Sequence, residues 1–292
     1  PEFNEILKRQ DLSPQELVAL FKDKSLDFEP GFTQQYSNSG YIILGYIIEK
    51  LSGKSYGEYV RENIFLPLEM NHSYYDEYAK VIPERISGYR KKNNKYENSE
   101  YLSMTLPFAA GSLLSTTGDL LKWYTGLAEG KIINKASVEL AYTSWILASG
   151  KETGYGFGWE IANIQGSKAV KHNGAINGFS TVVIYLPVEG IFVSILSNYE
   201  NVGSLDNSAA KLAAMALGKP YAFTKIVAAP EILQKYQAVY SNPYEEDSYI
   251  QNQDGILIHY FRGGAKTRLI PYNKDVFLLE GSLNSLFFHL PP

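Results

Sequence analysis

Three short words in this chain hold side chains suited to acyl transfer: Tyr36-Ser37-Asn38, His172-Asn173-Gly174 and Ser208-Ala209-Ala210-Lys211. A serine attacks a carbonyl well only when a neighbouring base takes its proton, and a lysine, a phenol or an imidazole can each do so. The first two words offer the phenol of Tyr36, the carboxamide of Asn38 and the imidazole of His172, a set that would serve a serine nucleophile. Each also has a plainer reading. Ser37 or Asn38 would equally cap a helix by accepting from its first-turn amides. His172 would equally be an imidazole satisfied at a strand end. The third word matches the Ser-x-x-Lys pattern of nucleophile and base, but it falls on an expected terminal helix with Lys211 on the solvated side. Ser208 is therefore read as a chance match, and no nucleophile is assigned within the chain.

Other chemistries fit less well. Ser52-Gly53-Lys54-Ser55 has the ending of a phosphate loop, yet Ile48 stands where that loop needs glycine. There is no Gly-x-Ser-x-Gly elbow and no His-Glu-x-x-His. His72, His259 and His289 lie far apart without carboxylate spacing, and the chain has no cysteine, so neither a metal nor a cofactor is expected. Asp119 reads as a helix-start residue.

The elements that must position these words follow from local signals. Ser13, Pro14 and Glu16 open a helix expected to end near Lys24. Tyr41 to Leu51 is apolar almost all round, which predicts a helix buried on every side and stopped by Gly53. A further helix should cover Tyr56 to Ile64, and residues 89–101 read as an exposed polar excursion. Ser115 to Asp119 should cap a helix running through Trp123 and Leu127. Gly154 to Ile161, Val170 to Asn173, Phe179 to Leu186 and Ile191 to Ser197 read as strands of an antiparallel meander, closed by a helix from Ser204 to Leu217. After Pro220 come a short helix entering a strand over Glu231 to Tyr240. Strands at Gly255–Phe261, Thr267–Tyr272, Val276–Leu279 and Ser285–Leu290 follow, with turn residues between them.

The 292 residues suffice for one large domain and a small appendage, and 45% apolar with 20% charged residues is a globular balance. A net charge of −4 with scattered Lys and Arg argues against a nucleic-acid partner, and no apolar run is long enough to span a bilayer. Most of the 23 tyrosines are expected to pack rather than to bind.

In order along the chain, it resembles the serine β-lactamase-related family of class C β-lactamases, penicillin-binding D,D-peptidases, D-aminopeptidases and esterases. The resembling words are Phe28-Glu29-Pro30-Gly31, Tyr36-Ser37-Asn38-Ser39-Gly40-Tyr41, Gly53-Lys54-Ser55-Tyr56, Ile64 to Met70, Ala110-Gly111-Ser112, Ser115 to Leu120, Gly154 to Trp159 and His172-Asn173-Gly174-Ala175. They reach to about Leu217. Pro67-Leu68-Glu69-Met70 departs from the family's Pro-Leu-Gly-Met.

The resemblance implies an α/β (α+β) fold, with an antiparallel sheet, flanking helices and a helical region over residues 1–222. Residues 223–292 would form a small C-terminal all-β domain. It implies that Tyr36 exchanges protons with the nucleophile and that Asn38 binds the substrate amide. His172 would head the His-x-Gly form of the family's Lys-Thr-Gly strand, Gly174 would let substrate approach, and the Ala175 amide would serve the oxyanion. The expected function is a serine hydrolase forming an acyl-enzyme on a peptide, ester or β-lactam-like substrate. Esterase or peptidase is favoured over dedicated β-lactamase, because His172 lacks the fixed charge of the usual lysine. In the family a Ser-x-x-Lys word precedes Tyr-x-Asn, so the chain is expected to start downstream of its nucleophile and to be inactive alone. The alternative is a penicillin-binding-like scaffold without catalysis. Expected partners are a small-molecule or peptide substrate, the missing N-terminal segment, or another copy. By resemblance the location is the cell envelope, periplasmic or extracellular.

Overall fold

Capping chemistry sets the helices that carry the first word. In the computed structural model, which describes residues 7–200, 202–203, 205–223, 226, 228–242, 245–261, 265–273, 275–283 and 285–287, α1 (Pro14–Ala19) opens on a capping box. The Glu16 N–H donates to the Ser13 hydroxyl while the Ser13 N–H donates to the Glu16 carboxylate at 2.8 Å. This helix stops at Ala19, short of Lys24, because the following turns tighten. The N–H groups of Leu20, Phe21 and Lys24 each donate to the carbonyl three residues back. α2 (Asn38–Ser52) is capped by the Ser37 hydroxyl, which accepts from the Gly40 N–H at 3.1 Å, and it ends on Gly53 at φ 69°. α3 (Tyr56–Val60) starts from a second capping box, Ser55 with Glu58, and runs on as a π-helix over Arg61–Phe65. That extra residue per turn brings Phe65 into one cluster with Val60, Leu68 and Met70.

The surface of α2 differs from the expectation of burial on every side. Only Ile42 and Gly45 are buried, while Ile43, Leu44, Ile47 and Leu51 are exposed, Leu51 by 84%. Ile42 packs with Leu17, Leu106 and Phe108, and a Cβ on Gly45 would come within 2.4 Å of Ala109. An apolar sequence says only that a face is fit for burial, and among the described residues the outer stripe of α2 has no cover.

Short strands follow. β1 (Tyr74–Tyr75) pairs with the later β4 (Leu113–Leu114). The polar stretch expected to be an excursion contains a hairpin of β2 (Tyr89–Lys92) and β3 (Lys95–Asn98). Its turn is Asn93-Asn94, at φ 48° and 63°, the left-handed pair that matches strand twist. α4 (Thr117–Glu129) is capped by Thr116, and α5 (Lys135–Ala141) by Asn134. Asp119, in the first turn of α4, accepts from the His72 N–H, the Ser73 hydroxyl and Lys122. It is a structural joint.

The main sheet is an antiparallel meander of β5 (Glu160–Ile164), β6 (Ser167–Ile176), β7 (Phe179–Leu186) and β8 (Ile191–Ser197), in that order. Gly154 to Trp159 is not part of a strand. A Cβ on Gly156 would lie 2.1 Å from the Ala141 carbonyl oxygen, so the small-large alternation lets the backbone turn tightly against the end of α5. α4 and α5 cover one face, where Tyr124, Leu127, Val138 and Tyr142 pack with Val170 and Tyr185. α6 (Leu205–Ala216) packs against β7 and β8, burying Ala209, Ala213 and Ala214. Lys171, next to Val170, pairs with Asp206 of α6 at 3.2 Å and with Glu160 at 3.0 Å. Side chains alternate along a strand, so α6 lies on the face opposite to Val170.

This unit ends at Lys219, and a second begins at Pro220. The second has α7 (Pro230–Gln234) and a six-stranded antiparallel sheet. Its strands are β9 (Ala238–Asn242), β10 (Glu245–Gln253), β11 (Ile256–Tyr260), β12 (Lys266–Asn273), β13 (Val276–Leu279) and β14 (Ser285–Phe287), each paired with the next. β10 lacks a strand signal in the sequence, because Glu245-Glu246-Asp247 at its start shows no apolar alternation. Residues 288–290 of the expected last strand lie outside the described residues. Leu233, Tyr236, Ile250, Leu257, Leu269 and Phe277 form the core.

Two outcomes follow. Ile42→Ala should cost about 2–5 kcal/mol of unfolding free energy, whereas Leu51→Ala on the exposed stripe should change it by no more than about 0.5 kcal/mol. Chemical denaturation of the two variants checks the contrast. His259 in β11 is buried, its Nδ1 has no hydrogen-bond partner among the described residues, and burial holds its pKa below the ordinary imidazole value. The unfolded chain therefore takes up a proton more readily than the folded one. Stability of the second unit should be full above about pH 6.5 and fall as the pH drops below it. Melting from pH 7.5 to 5 should show this decline, and His259→Leu should flatten it.

Candidate active site

Tyr36 ends the extended approach to α2, and the Ser37 cap starts the helix at the next residue. The phenol thus stands at the mouth of an anchored helix, 59% exposed. Ser37 is the cap, which leaves the flanking side chains free of that duty. Neither the Tyr36 hydroxyl nor the Asn38 carboxamide has a hydrogen-bond partner among the described residues. Asn38, in the first turn, is exposed as well.

His172 is brought to Tyr36 by the sheet. It is two residues beyond Val170 on β6 and so shares the α4 and α5 face. The Tyr36 and His172 ring centroids are 6.1 Å apart. β5 begins at Glu160, opposite Lys171, so His172 to Ile176 run on with that edge unpaired by any described strand. The first two words therefore meet beside an open strand edge.

A third ring completes the group. The Tyr155 hydroxyl lies 3.1 Å from His172 Nε2, and His172 Nδ1 is 2.5 Å from the Asn173 carbonyl oxygen. Burial, together with the neighbouring Tyr41 and Tyr36 phenols and Glu160, pushes the Tyr155 pKa up to about 12. Tyr41 is pushed up by burial and by Tyr36. Tyr155 and Tyr41 were not singled out from the sequence, although the glycines on either side of Tyr155 mark a backbone under close constraint. Tyr155 also lines a cavity of about 290 Å³ with Phe28, Gly31, Gln35, Trp145 and Leu147.

The two other strand positions have distinct placements. Ala175 is exposed on the open stretch. Gly174 faces Thr181 across the ladder, and a Cβ there would come within 2.5 Å of the Thr181 hydroxyl oxygen. Packing within the sheet thus accounts for this glycine without any substrate. Ser208 is exposed on α6, the helix on the opposite face of the sheet from His172, and Lys211 is exposed beside it. No group of three or more metal-ligating side chains is found among the described residues. His289 lies outside them.

Comparison with known proteins decides the kinship. The model of the Beta-lactamase family matches residues 1–217. The chain belongs to the β-lactamase family. Among curated relatives, it is 32% identical over 225 residues to penicillin-binding protein 4* of Bacillus subtilis, a match covering 71% of this chain and 49% of that protein. Among solved structures it is similar to the octameric penicillin-binding protein homologue of Pyrococcus abyssi (TM-score 0.65, 27% identity), over 91% of this chain and 63% of that one. It is also similar to a D-stereospecific amidohydrolase from a Streptomyces species (TM-score 0.62, 25% identity), over 72% and 63%. The chain spans about half the length of the curated relative. As a β-lactamase-family fold, the helices and meander are those of the matched residues, and the six-stranded unit lies beyond them.

In this β-lactamase-family sheet, Gly174→Ala should force Thr181 aside and lower stability by about 1–3 kcal/mol. Thr181→Ala in the same chain should recover part of the loss, and denaturant melts of the single and double variants test the coupling.

Proposed function

We propose that this chain carries the proton-handling and oxyanion side of a serine hydrolase that works through an acyl-enzyme on peptide or ester substrates. The observation that carries this reading is the meeting of Tyr36 and His172 beside an open strand edge, 6.1 Å between ring centroids. In the reaction, a serine hydroxyl attacks the substrate carbonyl, Tyr36 accepts its proton, and the same proton goes to the leaving group as the acyl bond forms. Phenolate character at Tyr36 requires a nearby cation, the role of the lysine in a Ser-x-x-Lys pair. Asn38 holds the substrate amide. The Asn173 carbonyl receives the His172 ring, and alternation along the strand puts the Ala175 N–H on the same edge as that carbonyl, where it can face an oxyanion.

Only Ser208-Ala209-Ala210-Lys211 has the nucleophile pattern, and it is on the other face of the sheet. The serine and its lysine then come from a segment outside these 292 residues, and the uncovered stripe of α2 is a surface such a segment, or a second copy, would bury. An imidazole in place of a lysine's fixed charge at the head of the strand word favours ester or peptide over a carboxylate-bearing β-lactam, and kinship with a D-stereospecific amidohydrolase supports an amide of a D-residue. Penicillin-binding relatives support a setting in the cell envelope. The lack of a Ser-x-x-Lys pair on the Tyr36 side among the described residues also favours a second reading, a binding protein that keeps the cleft without turnover.

Labelling separates the two. With a fluorophosphonate probe the chain alone should remain unlabelled. A polypeptide bearing a relative's Ser-x-x-Lys helix, added in trans or fused ahead of Pro1, should become labelled on its own serine. Tyr36→Phe should slow that labelling about 10²–10⁴-fold. Label on Ser208 would overturn the assignment, and reversible penicillin binding without label on the fused protein would favour the binding protein.

A further inference from the structure

We propose that Tyr155 is a positioning residue that holds His172 as the Nδ1–H tautomer with its Nε2 lone pair occupied. On this assignment the imidazole is a fixed polar wall of the cleft and does not exchange protons directly with Tyr36. The inference deepens the hydrolase reading, but it concerns the state of one side chain and stands or falls by a measurement that needs no turnover.

The tautomer follows from hydrogen-bond chemistry. A carbonyl oxygen can only accept, so the 2.5 Å contact between His172 Nδ1 and the Asn173 oxygen puts the ring proton on Nδ1. A neutral imidazole then has a lone pair on Nε2, and the group 3.1 Å away is the Tyr155 hydroxyl. Tyr155 keeps its proton through the neutral range, because burial and the phenols and carboxylate around it oppose phenolate. It is therefore the donor, and His172 the acceptor. Both ring nitrogens are engaged, and Tyr36 meets the tilted ring across 6.1 Å between centroids.

Tyr155 can do this because its own backbone is held on both sides. The Trp145 N–H donates to the Tyr155 carbonyl at 2.9 Å, and the Tyr155 N–H donates to the Thr153 hydroxyl at 3.1 Å. Ahead of it the Gly154 carbonyl accepts from the Ile161 N–H at 2.7 Å. Behind it the Gly156 N–H donates to the Trp159 carbonyl at 2.8 Å. Gly156 is tight against the Ala141 carbonyl, leaving no room for a side chain that would displace the turn. A ring so held fixes its hydroxyl in place, and the imidazole orients to it.

The test is the side-chain ¹⁵N spectrum of His172 in the full chain near neutral pH, assigned by loss of its signals in His172→Gln. Wild-type protein should show a protonated Nδ1 and a hydrogen-bonded, unprotonated Nε2. Tyr155→Phe removes one oxygen and should shift Nε2 toward the value of a free acceptor. It should also lower the Nδ1–H to Nε2–H ratio about fivefold, the worth of one neutral hydrogen bond. The melting curve should stay close to wild type. An Nε2–H tautomer in the wild-type protein would overturn the proposal, even if Tyr155→Phe failed to fold. So would an Nε2 shift that Tyr155→Phe leaves unchanged. Failure of the hydrolase reading, by contrast, would appear only in the labelling experiment and leave these spectra as they are.

Discussion

Lys171 and His172 are consecutive on one strand, so the placement of the first dictates that of the second. Lys171 is tied to Asp206 of α6 and to Glu160 of the neighbouring strand, and those ion pairs raise its pKa against the opposing effect of burial. A half-buried ammonium with two carboxylates has little freedom to leave. His172 must then emerge on the other face, beside Val170 and the helices that pack there. The meeting with Tyr36, the contact with Tyr155 and the placing of Ser208 behind the sheet all depend on that alternation.

The three rings are placed by a helix cap, a paired strand and a hydrogen-bonded turn. Tyr36 borrows its position from the cap, His172 from the strand and Tyr155 from the turn, which four hydrogen bonds hold. The glycines around them are needed for packing: Gly156 against the Ala141 carbonyl and Gly174 against Thr181. On the outer stripe of α2, by contrast, Ile43, Leu44, Ile47 and Leu51 meet solvent.

Much of the first unit is legible in its residues. The Ser13 and Ser37 caps, the Gly53 stop and the strands around His172 all rest on local rules, and the helices and strands they mark are present. Where structure and sequence part, local signals are silent about packing. α1 is shorter than its sequence suggests, because nothing local distinguishes a tightening turn from another helical one. The Asn93-Asn94 hairpin leaves little trace in the sequence, because its strands are exposed on both faces, which erases the alternation that marks a half-buried strand. Gly154 to Trp159 has the alternation of a strand, but alternating small and large residues suit a tight turn equally well. α2 was expected to be covered all round, but periodicity cannot say what lies against a face.

By itself the sequence determined the family, the order of the words and the residue types that can handle a proton, since these depend on chemistry and on neighbours along the chain. Only the tertiary structure decided which of them meet. Strand alternation brought His172 to the Tyr36 side and put Ser208 on the other. A ring seventeen residues before His172 took its Nε2, because contact across a sheet and a turn is set by packing, which leaves no periodic trace in the chain.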